Sequence, residues 1–98
     1  MIHVIAHTQA QPGKGRDIVS LSKTLIAETR KEKGCISYDL YQKPDAPDTL
    51  VFVETWESRE ALEAHFHAPH IRDFIAATSG LKAESRVEIV HPERIEIL

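Results

Sequence analysis

The sequence predicts an α+β fold built on a four-stranded antiparallel sheet, and three observations carry that expectation. Apolar periodicity switches repeatedly between two and about 3.6 residues, the switches fall at Gly- and Pro-containing breaks, and the resulting order is β-α-β-β-α-β. "IHVIAHT" (2–8) sets Ile2, Val4 and Ala6 on one face and His3, Ile5 and His7 on the other, which is the period of a strand. "QPGKG" (11–15) breaks it. From Arg16 to Lys33 the period is helical: Ile18, Val19, Leu21, Leu25 and Ile26 share an arc of about 160° at 100° per residue, with Arg16, Lys23, Ala27, Arg30 and Lys31 opposite. Gly34 is placed to end that helix as its left-handed C-terminal residue. "CISYDLYQK" (35–43) and "TLVFVETW" (49–56) read as strands joined by the "PDAPD" turn (44–48), hence an antiparallel hairpin. Ser58 is a plausible N-cap for a second helix, with Glu60 in the first turn where the helix dipole favours negative charge. Pro69 should stop or bend this helix near Ala68, and a further turn or two runs through Ala77 to a stop at Gly80. "AESRVEIVH" (83–91) supplies the fourth strand and "PERIEIL" (92–98) a short extended tail. This order is the split βαβ, or ferredoxin-like, arrangement in one domain spanning residues 1–98.

Composition narrows the functional classes. With 98 residues and a net charge of −3 carried by interspersed acids and bases, the chain has no basic stripe for a phosphate backbone, so nucleic acid is not an expected partner. No apolar run reaches the roughly 18 residues of a membrane span and the first residues lack a leader pattern, so the expectation is a cytoplasmic protein with no membrane partner. The single cysteine, Cys35, cannot form an internal disulfide and reads as a small buried hydrophobe.

The third strand is apolar on both sides. Val51, Val53 and Thr55 occupy one face, and Leu50, Phe52 and Trp56 flank Glu54 on the other. Two helices cover one face of a four-stranded sheet, so the other needs a second layer, and the simplest is the same sheet of another copy. A homodimer with sheets packed face to face is therefore expected. The sequence does not say which face meets the helices.

"HFHAPHIRDF" (65–74) concentrates the chemistry. On a helix, His65 falls within the apolar arc beside Leu62 and Phe66, His67 falls on the polar face beside Glu63, and His70 lies past Pro69. The three rings are expected to diverge, with His67 and His70 as the only helical pair and Asp73 as a loosely placed acid, so no metal site is expected. His65 is then either a core histidine bonded to a neighbour or a general base in an apolar pocket, a role its ordinary pKa of about 6.5 suits. His7 has the same ambiguity. Trp56, Tyr38, Tyr41 and Phe52 fit core, interface or pocket wall, and Glu54 among apolar neighbours should pair with Arg72, Arg86 or a histidine, or line a wet cavity.

Taken together, "GCISYDLYQ" (34–42) and "FVETWESREALEAHFHAPHIRDF" (52–74) resemble the antibiotic biosynthesis monooxygenase family, which includes quinol monooxygenases. The resemblance rests on Gly34, Tyr38, Phe52, Glu54, Trp56, Ala61, Leu62, His65, Pro69 and His70 at the family's spacing. It implies a dimeric α+β barrel and a monooxygenase that uses no cofactor and no metal, with a small electron-rich aromatic (quinol, polyphenol or anthrone-like) and O₂ as partners. Carried onto this chain, it implies His65 as proton acceptor with His7 second, and Tyr38, Phe52, Glu54, Trp56, Phe66, His70 and Phe74 as substrate-binding residues. Some relatives carry Asn or Trp where this chain has His7 and His65, which argues against the haem-degrading branch. Two other readings fit the same frame: an isomerase or degradation enzyme for a phosphorylated signal held by Lys14, Arg16 or Arg72, and a non-catalytic dimeric module that binds a small ligand.

Overall fold

A computed structural model describes residues 1–98, with β1 (Ile2–Ala10), α1 (Gly15–Thr29), β2 (Cys35–Lys43), β3 (Ala46–Trp56), α2 (Arg59–Phe66), α3 (Pro69–Thr78) and β4 (Lys82–Val90) in chain order. The strands form one antiparallel sheet in the order β2-β3-β1-β4, the ferredoxin-like topology. Residues 91–98 form no regular element, and Ile97 and Leu98 are exposed at their end. No helix is long and apolar enough to cross a membrane.

Register decides which face of the sheet meets the helices. Val4 stands opposite Glu54, which stands opposite Tyr38, and Ala6 opposite Phe52, so these residues share one face with Ile2, Leu50 and Trp56. That face is buried under Leu25 of α1 and Leu62 of α2. His3, Ile5, His7, Val51, Val53 and Thr55 take the opposite face, which no element of this chain covers. Val53 and Tyr41 are 38% and 55% exposed there, which leaves apolar side chains on the surface of this face.

Several local expectations change in the folded chain. The first helix ends at Thr29 rather than Lys33, because Lys31 and Glu32 donate to the carbonyls three residues back, Glu28 and Thr29, and the chain tightens into turns. Gly34 is consequently not the helix C′ residue. It lies in the turn before β2 with φ +87°, and a Cβ there would stand 2.5 Å from that of Ala61, so both the backbone and the approach of α2 require glycine. Gly80 does not cap α3 in the left-handed region either; α3 ends at Thr78 with Ser79 following in helical geometry. The buried stripe of α1 is Ile18, Ser22, Leu25 and Thr29, while Leu21 is 43% exposed. Ser22 tolerates burial because its hydroxyl donates to the Val19 carbonyl at 2.7 Å. The hairpin turn shrinks to Pro44–Asp45, and the freed Asp48 carboxylate accepts the Gly13 and Gly15 N–H groups at 2.9 and 2.8 Å, capping α1 from β3.

The break at Pro69 matters most for the site. Ser58 caps α2, its Oγ accepting the Ala61 N–H at 3.2 Å, and α2 stops at Phe66. Ala68 is extended and Pro69 opens α3 at its first turn, where its missing N–H costs nothing. The chain changes direction there, so His65 and His70 approach one point from two different helices.

Candidate active site

A cavity of about 330 Å³ lies between the helix-facing side of the sheet and α2–α3. Val4, Ala6, Phe52, Ile71, Phe74 and Val87 make its walls predominantly apolar, and Tyr38, Glu54 and His65 bring the polar groups. Phe66 and Ile75, 39% and 51% exposed, stand where it opens to solvent. The size and lining suit a small flat aromatic.

His65 is 2% exposed and packs against Trp56 and Tyr38, with ring centroids 4.9 and 5.4 Å away. Its Nδ1 lies 2.7 Å from Oε2 of Glu32, and His70 Nε2 lies 2.7 Å from the same oxygen. A carboxylate only accepts, so both rings donate, which places the proton of neutral His65 on Nδ1 and leaves Nε2 with a lone pair. Nε2 has no partner in the protein. It is not sealed either, since Thr29 Oγ1 is the one buried side-chain polar atom left unpartnered, so Nε2 is open to accessible space beside the cavity His65 lines. Burial draws His65 below its ordinary pKa of 6.5, against the Glu32 hydrogen bond and charge, which raise it, and His70 adds to the lowering. A neutral imidazole of fixed tautomer on a residue that lines an apolar cavity is equipped to accept a proton.

Glu54, 5% exposed, accepts the Trp56 indole N–H on Oε1 at 3.0 Å and leaves its other oxygen unpaired along the cavity. Burial pushes its carboxyl up to about 7, the Trp56 donor opposes the rise, and the charge of Glu32 adds to it. Folded protein therefore holds a proton on Glu54 between about pH 4.5 and 7 that the unfolded chain has already released, so this group's contribution to stability falls as pH rises through that window. The difference corresponds to about 3 kcal/mol at most. Glu54→Gln keeps an acceptor for Trp56 and cannot ionise, so its stability in urea unfolding should match wild type near pH 5 and exceed it at pH 8. An offset that stays the same at pH 5 and pH 8 would show that Glu54 does not titrate in this way.

Burial and then the charge of Glu54 hold the Tyr38 phenol well above its ordinary 10, so it remains a hydrogen-bond donor. Burial followed by the charge of Glu32 pushes the Cys35 thiol up to about 11, which leaves it no nucleophilic character.

The residues singled out from the sequence separate in the structure. Tyr38, Phe52, Glu54, His65, Phe66 and Phe74 converge on the cavity, with Phe52 and Phe74 edge to face at 5.8 Å. Trp56 does not reach the wall; it is fully buried behind Glu54 and His65 and orients both. His70 is likewise no wall residue but a second donor to Glu32. His7 borders the cavity, yet its ring turns to the opposite face of the sheet, where Nε2 pairs with Glu88 at 3.0 Å, so it cannot act beside His65. The expected divergence of the histidines is corrected for one pair: the direction change at Pro69 brings His65 and His70 together on Glu32, while His67 stays exposed. Glu54 pairs with none of the expected arginines or histidines but with Trp56. Lys14, Arg16 and Arg72 are exposed and line no part of the cavity, which removes the support for a phosphate ligand there. Glu32 is the residue sequence reasoning missed. It reads as the polar end of a helix, and its partners lie 33 and 38 residues away.

Comparison with known proteins yields one family model, described as antibiotic biosynthesis monooxygenase, matching residues 1–77. The Synechocystis protein sll1783 is 34% identical over 83 residues, which is 85% of this chain and 56% of that protein, so this chain spans little more than half its length. YgiN of Escherichia coli K12, named a probable quinol monooxygenase, is 30% identical over 102 residues, covering 94% of this chain and 98% of YgiN. The solved structure of Rv0793 from Mycobacterium tuberculosis superposes with a TM-score of 0.87 at 33% identity over 96% of each chain.

Proposed function

We infer the activity from one premise: this chain belongs to the antibiotic biosynthesis monooxygenase family. On that premise its function is of the monooxygenase type, and we propose the finer reading that it oxidises a small electron-rich aromatic, a quinol or related polyphenol, with O₂ and no cofactor. The observation that carries it is the unpaired Nε2 of His65, a residue that lines an apolar cavity and is held in its accepting tautomer by Glu32. The substrate hydroxyl gives its proton to Nε2, and the resulting quinolate is electron-rich enough to reduce O₂ directly. The electron balance closes without another reductant. One oxygen atom replaces a ring hydrogen as hydroxyl and the other leaves as water, so quinol and O₂ become hydroxyquinone and water. The roles left to the protein are deprotonation, alignment of the ring, and exclusion of water from the anion. Phe52, Phe74, Val4 and Val87 form walls for the ring, and Tyr38 and Glu54 offer contacts to its oxygens.

The test is an oxygen electrode. A naphthoquinol of the menadiol type is mixed with protein anaerobically and O₂ is admitted; uptake should exceed the uncatalysed autoxidation in proportion to protein, with hydroxyquinone as product. Uptake equal to background across naphthoquinols, benzoquinols and anthrones would end this reading.

The same reading includes a homodimer. Ile5, Val51, Val53 and Tyr41 form the apolar part of the sheet face that this chain leaves uncovered, and a two-fold copy would bury it at about 800 Å² per partner, ordinary for a stable dimer. Light scattering after size exclusion should give twice the chain mass of 11.1 kDa. An 11.1 kDa species at micromolar concentration would rule it out.

A further inference from the structure

We propose that Glu32, His65 and His70 form a binding site for one transition-metal dication of the zinc type, and that filling it silences His65 as a base. The binding claim stands on geometry alone; the silencing claim rests on the function proposed above.

Three ligand atoms converge from three separate elements: Oε2 of Glu32 in the turn after α1, Nδ1 of His65 in α2, and Nε2 of His70 in the first turn of α3. All three lie within 4.8 Å of one another, and each nitrogen is 2.7 Å from the shared oxygen. Zinc takes His nitrogen and carboxylate oxygen at about 2.0–2.2 Å in tetrahedral geometry, which sets neighbouring ligand atoms about 3.4 Å apart. Opening each nitrogen–oxygen contact by less than about 1 Å, with the two nitrogens brought to a similar separation, therefore makes room for an ion. The carboxylate is also unusual in what it lacks. Glu32, with its side chain 15% exposed, has no Lys or Arg partner; the two imidazoles are the only side chains hydrogen-bonded to its carboxylate.

The ligand types choose the ion. Two imidazoles and one carboxylate suit Zn²⁺, Co²⁺, Ni²⁺ or Cu²⁺, whereas Mg²⁺ and Ca²⁺ need shells of oxygen. Access is open from one side, since the His70 side chain is 17% exposed while His65 is buried against Trp56 and Tyr38. Three protein ligands leave a fourth position on that exposed side for water.

Occupancy reverses the tautomer that the base needs. With the ring neutral, coordination through Nδ1 requires the lone pair there, so the ring proton moves to Nε2, the nitrogen that accepts the substrate proton. The loaded ring becomes a donor at the cavity and cannot deprotonate a quinol.

Protein stripped with a chelator and returned to chelator-free buffer is titrated with ZnCl₂ by calorimetry and with CoCl₂ by visible d–d absorption. One ion per chain should bind at micromolar concentration or tighter, with a cobalt spectrum of low coordination number. Glu32→Gln and His70→Ala, checked for folding by circular dichroism, should each weaken binding by about tenfold or more, given the ligand set zinc requires. His67→Ala, which alters an exposed histidine outside the cluster, should leave it unchanged. Absence of uptake by wild type at millimolar Zn²⁺, or wild-type affinity in His70→Ala, overturns the site. In the activity arm, quinol oxidation should fall with the same midpoint as the zinc titration. Binding without inhibition, or activation by zinc, overturns the silencing claim and leaves the site. Binding by a stripped protein that oxidises none of the naphthoquinols, benzoquinols and anthrones overturns the proposed function and leaves the site likewise.

Discussion

On the proposed function, His65→Ala should lower kcat for quinol oxidation by about 10²- to 10⁴-fold, the usual contribution of a positioned general base. KM should change far less, because Phe52, Phe74 and the aliphatic walls, proposed to hold the ring, are left in place by the substitution. Two effects accompany the loss of the imidazole. Glu32 keeps one of its two donors, His70, and the space between Trp56 and Tyr38 is left unfilled. The variant should therefore melt earlier than wild type yet remain folded, and imidazole added to the buffer should restore part of the rate by occupying the vacated space. Glu32→Gln separates orientation from chemistry. It retains the base but lets its tautomer relax, so its loss in kcat should be smaller than that of His65→Ala. A folded His65→Ala protein within twofold of wild-type kcat would remove His65 from the reaction.

The second large effect concerns stability. Trp56→Ala should cost about 3–5 kcal/mol, the range for deleting a large buried aromatic side chain. Trp56 is fully buried, lies edge-on to Tyr38 at 6.5 Å, packs against His65 at 4.9 Å, and holds Glu54 through its indole N–H. Its removal opens a cavity and also leaves Oε1 of a buried carboxyl without its donor. Since a domain of this size is stable by about 5–15 kcal/mol, the variant should sit near the edge of folding. Trp56→Phe keeps most of the packing and deletes the donor, so it should lose less while pushing Glu54 further above its ordinary range. Urea unfolding of the three proteins measures both. A cost below about 1 kcal/mol for Trp56→Ala would mean that the core repacks without it.

Trp56 also shows how far a sequence reading reaches. Its burial and its place on an alternating strand are readable from periodicity, and so is the inward turn of His65 on α2. Its service to Glu54 is not, because side chains two apart on one strand become bonding partners only once the surrounding core fixes their rotamers. The same limit explains Glu32. Periodicity extended α1 through Lys33 because nothing in the residues marks the tightened turn at Thr29, and that turn carries Glu32 under α2. Pro69 was visible as a break, but a break does not specify direction. The placement of α3, which packs mainly against α1, beside α2, which packs on β3, is what brings His70 to the carboxylate.

The order of residues by itself determined the succession of strands and helices, the cap at Ser58, the interruption at Pro69 and an apolar surface larger than two helices can cover. These follow from chemistry within a few neighbours along the chain. Only the tertiary structure decided that Leu50, Phe52, Glu54 and Trp56, rather than Val51, Val53 and Thr55, face the helices, that His7 belongs to the other side of the sheet, and that Glu32 joins His65 and His70. Both faces of β3 are apolar, so local pattern left the two orientations nearly equal, and cross-strand register together with contacts 33 and 38 residues apart chose between them.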